Sequence, residues 1–107
     1  MDWGALARAA ATAGIGAAGD VLKQQWATVK GGAASSLQAL AQAAVEIEVH
    51  GDEMSEAERH MVIDNQKLAL KGVLLGHESI GTLIAEQAVA AAWDAISGVI
   101  STALKLG

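Results

Sequence analysis

Residues 45–60, VEIEVHGDEMSEAERH, gather six carboxylates and two histidines around one glycine. Glu46 and His50 stand four residues apart, and so do Glu56 and His60. On a helix that spacing stacks a carboxylate and an imidazole on one face. Two such pairs, folded back on each other, could share a cation through oxygen and nitrogen ligands. The spacing differs from the Glu-x-x-His of ferritin-like di-iron bundles, the remaining helical segments lack a second carboxylate pair, and no EF-hand pattern occurs. A solvated acidic bend is therefore preferred, with a metal-binding, ferritin-like helical protein as the alternative, and no cofactor is expected.

The other polar residues are weaker candidates for chemistry. His77-Glu78 lies between Gly76 and Gly81 and reads as an exposed loop pair. Ser55 and Ser79 belong to no nucleophile motif with a histidine and a carboxylate, and no Gly-rich segment matches a phosphate loop. The chain is expected not to be an enzyme.

The elements around the bend read as helices. Val45, Ile47 and Val49 alternate with Glu46, Glu48 and His50 at the period of a strand, but Leu37, Leu40, Ala44 and Ile47 fall at helical spacing. A single short strand would leave its backbone groups unpaired, so the helix is preferred. Gly51 then caps its end. Proline is absent and Ala, Leu, Gln, Glu and Lys dominate, which favours helix over most of the length. With breaks placed at the glycines, the expectation is an all-α domain spanning 1–107, with helices at about 3–29, 34–50, 55–75 and 79–105. They would form helical hairpins or a small bundle of about four helices, within an oligomeric assembly.

The third helix has the clearest start, since Ser55 and Glu58 fit a capping box and Glu56 and Glu58 suit the helix dipole. His60, Asp64, Lys67 and Lys71 make one polar stripe, while Leu68, Leu70, Val73, Leu74 and Leu75 cover most of the remainder. That helix is expected to be well buried.

The last helix divides into three faces from Glu86 onward. Glu86, Ala90, Asp94, Ser97, Ser101 and Lys105 form a mostly polar stripe, and an apolar face carries Trp93, Ile96, Ile100 and Leu104. Between them Ala91, Ala95, Gly98 and Thr102 form a face of small residues, which lets helix backbones approach closely. The first helix repeats the theme with Ala7, Ala11, Gly14 and Ala18. Whether that helix runs unbroken through Gly14, Gly16 and Gly19 is left open, since each interior glycine costs ~1 kcal/mol relative to alanine. The two small-residue faces read either as tight packing within the chain or as contacts with other helices.

Composition narrows the partners. At 107 residues the chain has room for one modest core, and its 52% hydrophobic content is rich in alanine, which buries little area. A net charge of −5 with scattered basic residues excludes the footprint of a nucleic-acid binder. Zero cysteines exclude disulfides and thiolate metal sites. Asp2 precedes Arg8, unlike a secretory signal, so Met1 is expected to be the true start. Arg8 and Asp20 bracket the first apolar region and Glu86 and Asp94 interrupt the last, which disfavours a lone bilayer-spanning helix. Trp3, Trp26 and Trp93 suit a core or subunit interface, or a membrane interface.

In texture, ALARAAATAGIGAAGDVL and AVAAAWDAISGVISTAL resemble the small Ala/Gly-rich helical proteins of bacteriophage particles, including internal or ejected virion components and holin-like proteins. The resemblance covers the two ends and carries no functional residue across. It implies a structural protein of a virion, packed against copies of itself or other helical chains, with ends able to contact a membrane. A soluble helical adaptor is a further alternative.

Overall fold

The computed structural model describes residues 1–106, with the side chain of Leu106 excepted. Four α-helices follow one another: α1 Trp3–Leu22, α2 Trp26–His50, α3 Glu56–Leu75 and α4 Thr82–Leu106, with short 3-10 turns at Lys23–Gln25 and Gly51–Glu53. No strand occurs among the described residues, so the all-α expectation holds.

Helix α1 begins where Asp2 accepts a hydrogen bond from the Ala5 N–H at 3.0 Å, an N-cap that satisfies one of the helix's free donors. It continues unbroken through Gly14, Gly16 and Gly19 to Leu22. The first break falls at Lys23, whose φ of 54° is the one positive value at a non-glycine residue among those described. The chain reverses there. This corrects the expected break at Gly31-Gly32, which lie inside α2. Gly32 instead serves packing, because a Cβ there would come within 3.0 Å of Val73 on α3.

The second turn follows the sequence more closely. Residues 45–50 are helical, and Gly51 ends α2, but with φ −62° rather than the left-handed conformation expected of a capping glycine. Its carbonyl is satisfied from across the turn, by the Arg59 guanidinium at 2.7 Å, which also donates to the Met54 carbonyl at 3.2 Å. Ser55 and Glu58 form the predicted capping box: the Glu58 N–H donates to Ser55 Oγ at 3.1 Å and the Ser55 N–H to Glu58 Oε1 at 3.3 Å.

Close contacts fix the arrangement as an up-down-up-down bundle. Gly14 lies between Ile96 of α4 and Leu37 of α2, while Ser79, just before α4, donates to Gln25, just after α1, at 2.8 Å. Helices α1 and α4 are therefore antiparallel, and their contact is the most extensive in the molecule. A Cβ at Gly14 would meet Ile96 Cγ1 and Cδ1 at 2.9 Å, so glycine is what allows the two backbones to lie this close. Helices α2 and α3 form the next hairpin, and α3 meets α4 more loosely.

The core mixes alanines with larger aliphatic side chains. Ala10, Ala11, Gly14 and Ala18 of α1, Ala33, Ala41 and Ala44 of α2, and Ala85, Ala88 and Ala92 of α4 are buried; Leu37, Leu40, Leu70, Leu74 and Ile96 are the largest fully buried side chains, joined by Leu6, Leu22, Val29, Val45, Ile80 and Ile100. Each alanine removes little apolar area from water, so the fold depends on backbones close enough for dispersion contacts to accumulate. Helix α3 departs from its expected burial. It buries only Leu70 and Leu74 and turns Met61 and Leu68, 62% and 63% exposed, to solvent together with Leu75. The reason is angular, since residues 70 and 74 lie on one side of the helix and 61, 68 and 75 on the other.

Candidate functional site

A charge-lined groove of about 450 Å³ lies between the first half of α3 and the second half of α4, closed at one end by the last turns of α2. Helix α3, one wall of the groove, is held at two places. At its start Arg59 binds the turn carbonyls of Gly51 and Met54. Further along, Lys71 Nζ donates to Glu86 at 3.0 Å and the Lys67 ammonium sits 4.8 Å from the centroid of the Trp93 ring. Between these ties the two helices part.

Ile47, Ile63, Trp93 and Ile100 contribute the apolar lining, and Glu48, Glu56, Arg59, His60, Asp64 and Lys67 the charged groups. Ser97 points its hydroxyl back to its own helix, donating to the Trp93 carbonyl at 2.8 Å, so its proton is already used. Trp93 is half-buried and packs against the core with its ring beneath Lys67. A cation over an indole face at a partly exposed site contributes about 0.5–1 kcal/mol.

The predicted metal ligands do not come together. Glu56 and His60 are 3.7 Å apart, with side chains 80% and 73% exposed. Glu46 and His50 are exposed on α2, and no cluster of three or more histidines and carboxylates able to hold a metal ion occurs among the described residues. A single solvated His–Glu pair supplies neither a closed ligand set nor a desolvated base. What the groove offers is an apolar strip edged by both signs of charge, a surface suited to an amphipathic segment.

The small-residue positions separate by location. Ala11, Gly14 and Ala18 are buried and Ala7 half-buried on α1. On α4, Ala91 and Ala95 are half-buried while Gly98 and Thr102 are exposed. The buried small residues of α4 are Ala85, Ala88 and Ala92, on a neighbouring face. Of the apolar face, Ile96 and Ile100 are buried, Trp93 is half-buried and Leu104 is exposed. Trp3 and Trp26 are half-buried against the core.

Two features escaped the sequence reading. Arg59 looked like one charge among many in an acidic stretch; the free carbonyls expected at the end of α2 were the available signal. The outward row of Met61, Leu68 and Leu75 was signalled by its seven-residue spacing. No family model matches the chain, and neither a curated protein nor a solved structure matches it.

Proposed function

We propose that this chain is a non-enzymatic interaction protein that works by packing its helices against other helices, its own copies foremost, as a component of a helical assembly. One observation carries the reading. Large apolar side chains at Met61, Leu68, Leu75, Leu83 and Ile84 face outward on α3 and the start of α4, while the interior is packed with alanine and glycine. Met61, Leu68 and Leu75 recur every seven residues along one face of α3, and a row of exposed apolar groups on a helix suits contact with another helix. The groove beside Trp93 gives a second place where an amphipathic helix could lie. The phage-particle setting suggested by the texture of the ends belongs to the same proposal.

Solution mass across a concentration series tests it. Reversible growth beyond one chain is the expected result, and a strict monomer at every concentration overturns it.

A membrane-active form of this function is favoured by α4. Thr82–Lys105 is long and apolar enough to cross a membrane by length and composition, and only 33% of its apolar window is buried in the bundle. Release of dye from anionic or neutral liposomes is the expected outcome, whereas intact liposomes at all protein concentrations remove this form and leave the soluble assembly.

A further inference from the structure

The outer face of α3 carries more than loose hydrophobics. Met61, Asn65, Leu68, Gly72 and Leu75 follow one another at steps of four, three, four and three residues, the spacing of a coiled-coil seam. All five are exposed, and a Cβ built at Gly72 would touch nothing within 4 Å. Among the described residues nothing covers this seam; only Leu68 borders α4, beside Val89 and Ala90.

The charges beside it say what fits. Glu56, Glu58 and Asp64 occupy the first half of α3, Lys67 and Lys71 the second. Arg59, the exception in the acidic half, is occupied by the turn carbonyls. A helix with acid at one end and base at the other is complementary to itself when reversed. Asp64 and Lys71 flank the seam on the same side, one turn before and just under one turn after Leu68. In an antiparallel pair centred near Leu68, same-side flanks meet, so each Asp64 faces the Lys71 of the other copy. Asp64 has no ion-pair partner among the described residues, and Lys71 keeps donors beyond its one bond to Glu86.

We propose that α3 is a homodimerisation helix, pairing antiparallel with α3 of a second copy about Leu68. The inference rests on the association proposed above and names its surface. The seam is short, about 30 Å for a 20-residue helix, so the pairing belongs to the small, reversible class of interface.

The natural chain lacks cysteine, which makes site-specific cross-linking direct. Single variants Met61→Cys, Leu68→Cys and Leu75→Cys, all at exposed positions, are treated with a short bismaleimide. Met61 and Leu75 lie about 21 Å apart along the axis, so the antiparallel pair predicts that Leu68→Cys links to itself. Met61→Cys and Leu75→Cys should then link only when mixed. In sedimentation, Leu68→Glu weakens self-association about tenfold or more. Asp64→Lys and Lys71→Asp each weaken it, and the double exchange restores it. Self-linking by all three cysteine variants overturns the antiparallel arrangement. Oligomers that form without linking at residue 68 and ignore Leu68→Glu overturn the α3 seam but leave assembly through another surface. A strict monomer overturns both.

Discussion

Between α1 and α4 the chain brings backbones together over Gly14 and a series of buried alanines, with Ile96 as the large side chain pressed into the gap. On α3 the sizes are reversed in place: leucines and a methionine face water, and the helix keeps only Leu70 and Leu74 inside. The two regions hold apolar residues for different ends. Close approach through small residues brings α1 and α4 together around a core that still holds Leu6, Leu22, Leu37, Leu40, Ile96 and Ile100, whereas Met61, Leu68 and Leu75 of α3 stay at the surface. A residue's hydrophobicity therefore says little here about whether it is buried: Leu70 and Leu74 are inside while Leu68 and Leu75, on the same helix, are exposed.

The contrast can be broken most severely at Ile96. Ile96→Ala should lower stability by about 3 kcal/mol, as a buried cavity does, measured by urea unfolding of the dilute protein. A loss well under 1 kcal/mol would show that the α1–α4 contact is not tight. Gly14 gives a signed test on a single helix. Gly14→Ala overpacks against a buried Ile96 at ~1–3 kcal/mol, of which about 1 returns as helix propensity, so a net loss is expected. Gly16→Ala meets open space and should gain about 1 kcal/mol. Thermal melts that move both variants in the same direction would contradict the assignment of the two faces.

Next in size is the turn. Arg59→Met removes two charge-assisted hydrogen bonds to backbone carbonyls at a part-exposed site, and a loss of about 1 kcal/mol is expected. Faster proteolysis within residues 51–54 should accompany it, and unchanged cleavage there would show that the turn holds without Arg59, through the Met54 N–H that also donates to the Gly51 carbonyl at 3.1 Å. The smallest effect belongs to α3. Leu68→Gln should leave the unfolding free energy of the monomer within about 0.5 kcal/mol while reducing self-association. A large stability loss at Leu68 would place that side chain in the fold and erase the contrast.

Much of the architecture was legible because helix-forming residues, the Ser55–Glu58 capping box and the end at Gly51 are local signals. The first reversal was not. Glycine pairs usually punctuate, so Gly31-Gly32 drew the break, but tertiary packing uses Gly32 to admit Val73. The true reversal falls on Lys23, a residue type with no preference for positive φ. Counting leucines on α3 predicted burial; sorting them by angle separates Leu70 and Leu74 from Leu68 and Leu75. The acidic bend was recognisable as a bend, whereas the groove was not, since it depends on how α3 lies against α4, where Lys67 meets Trp93 and Lys71 meets Glu86 across contacts distant in sequence. On α4 the predicted small-residue stripe lies one face away from the alanines that are buried, because several faces of an alanine-rich helix look alike.

The antiparallel run of α1 against α4 also has a kinetic side. The hairpins α1–α2 and α2–α3 join neighbours in sequence and close small loops, but Gly14 must wait for Ile96, 82 residues later. Closing so long a loop costs more conformational entropy than closing either hairpin, and contacts of that separation slow folding. A chain emerging from the ribosome therefore holds three helices with an alanine-lined trough still open, and the trough fills only when α4 is complete. In that interval α1 lacks its most extensive contact, and the buried alanines along it face no helix.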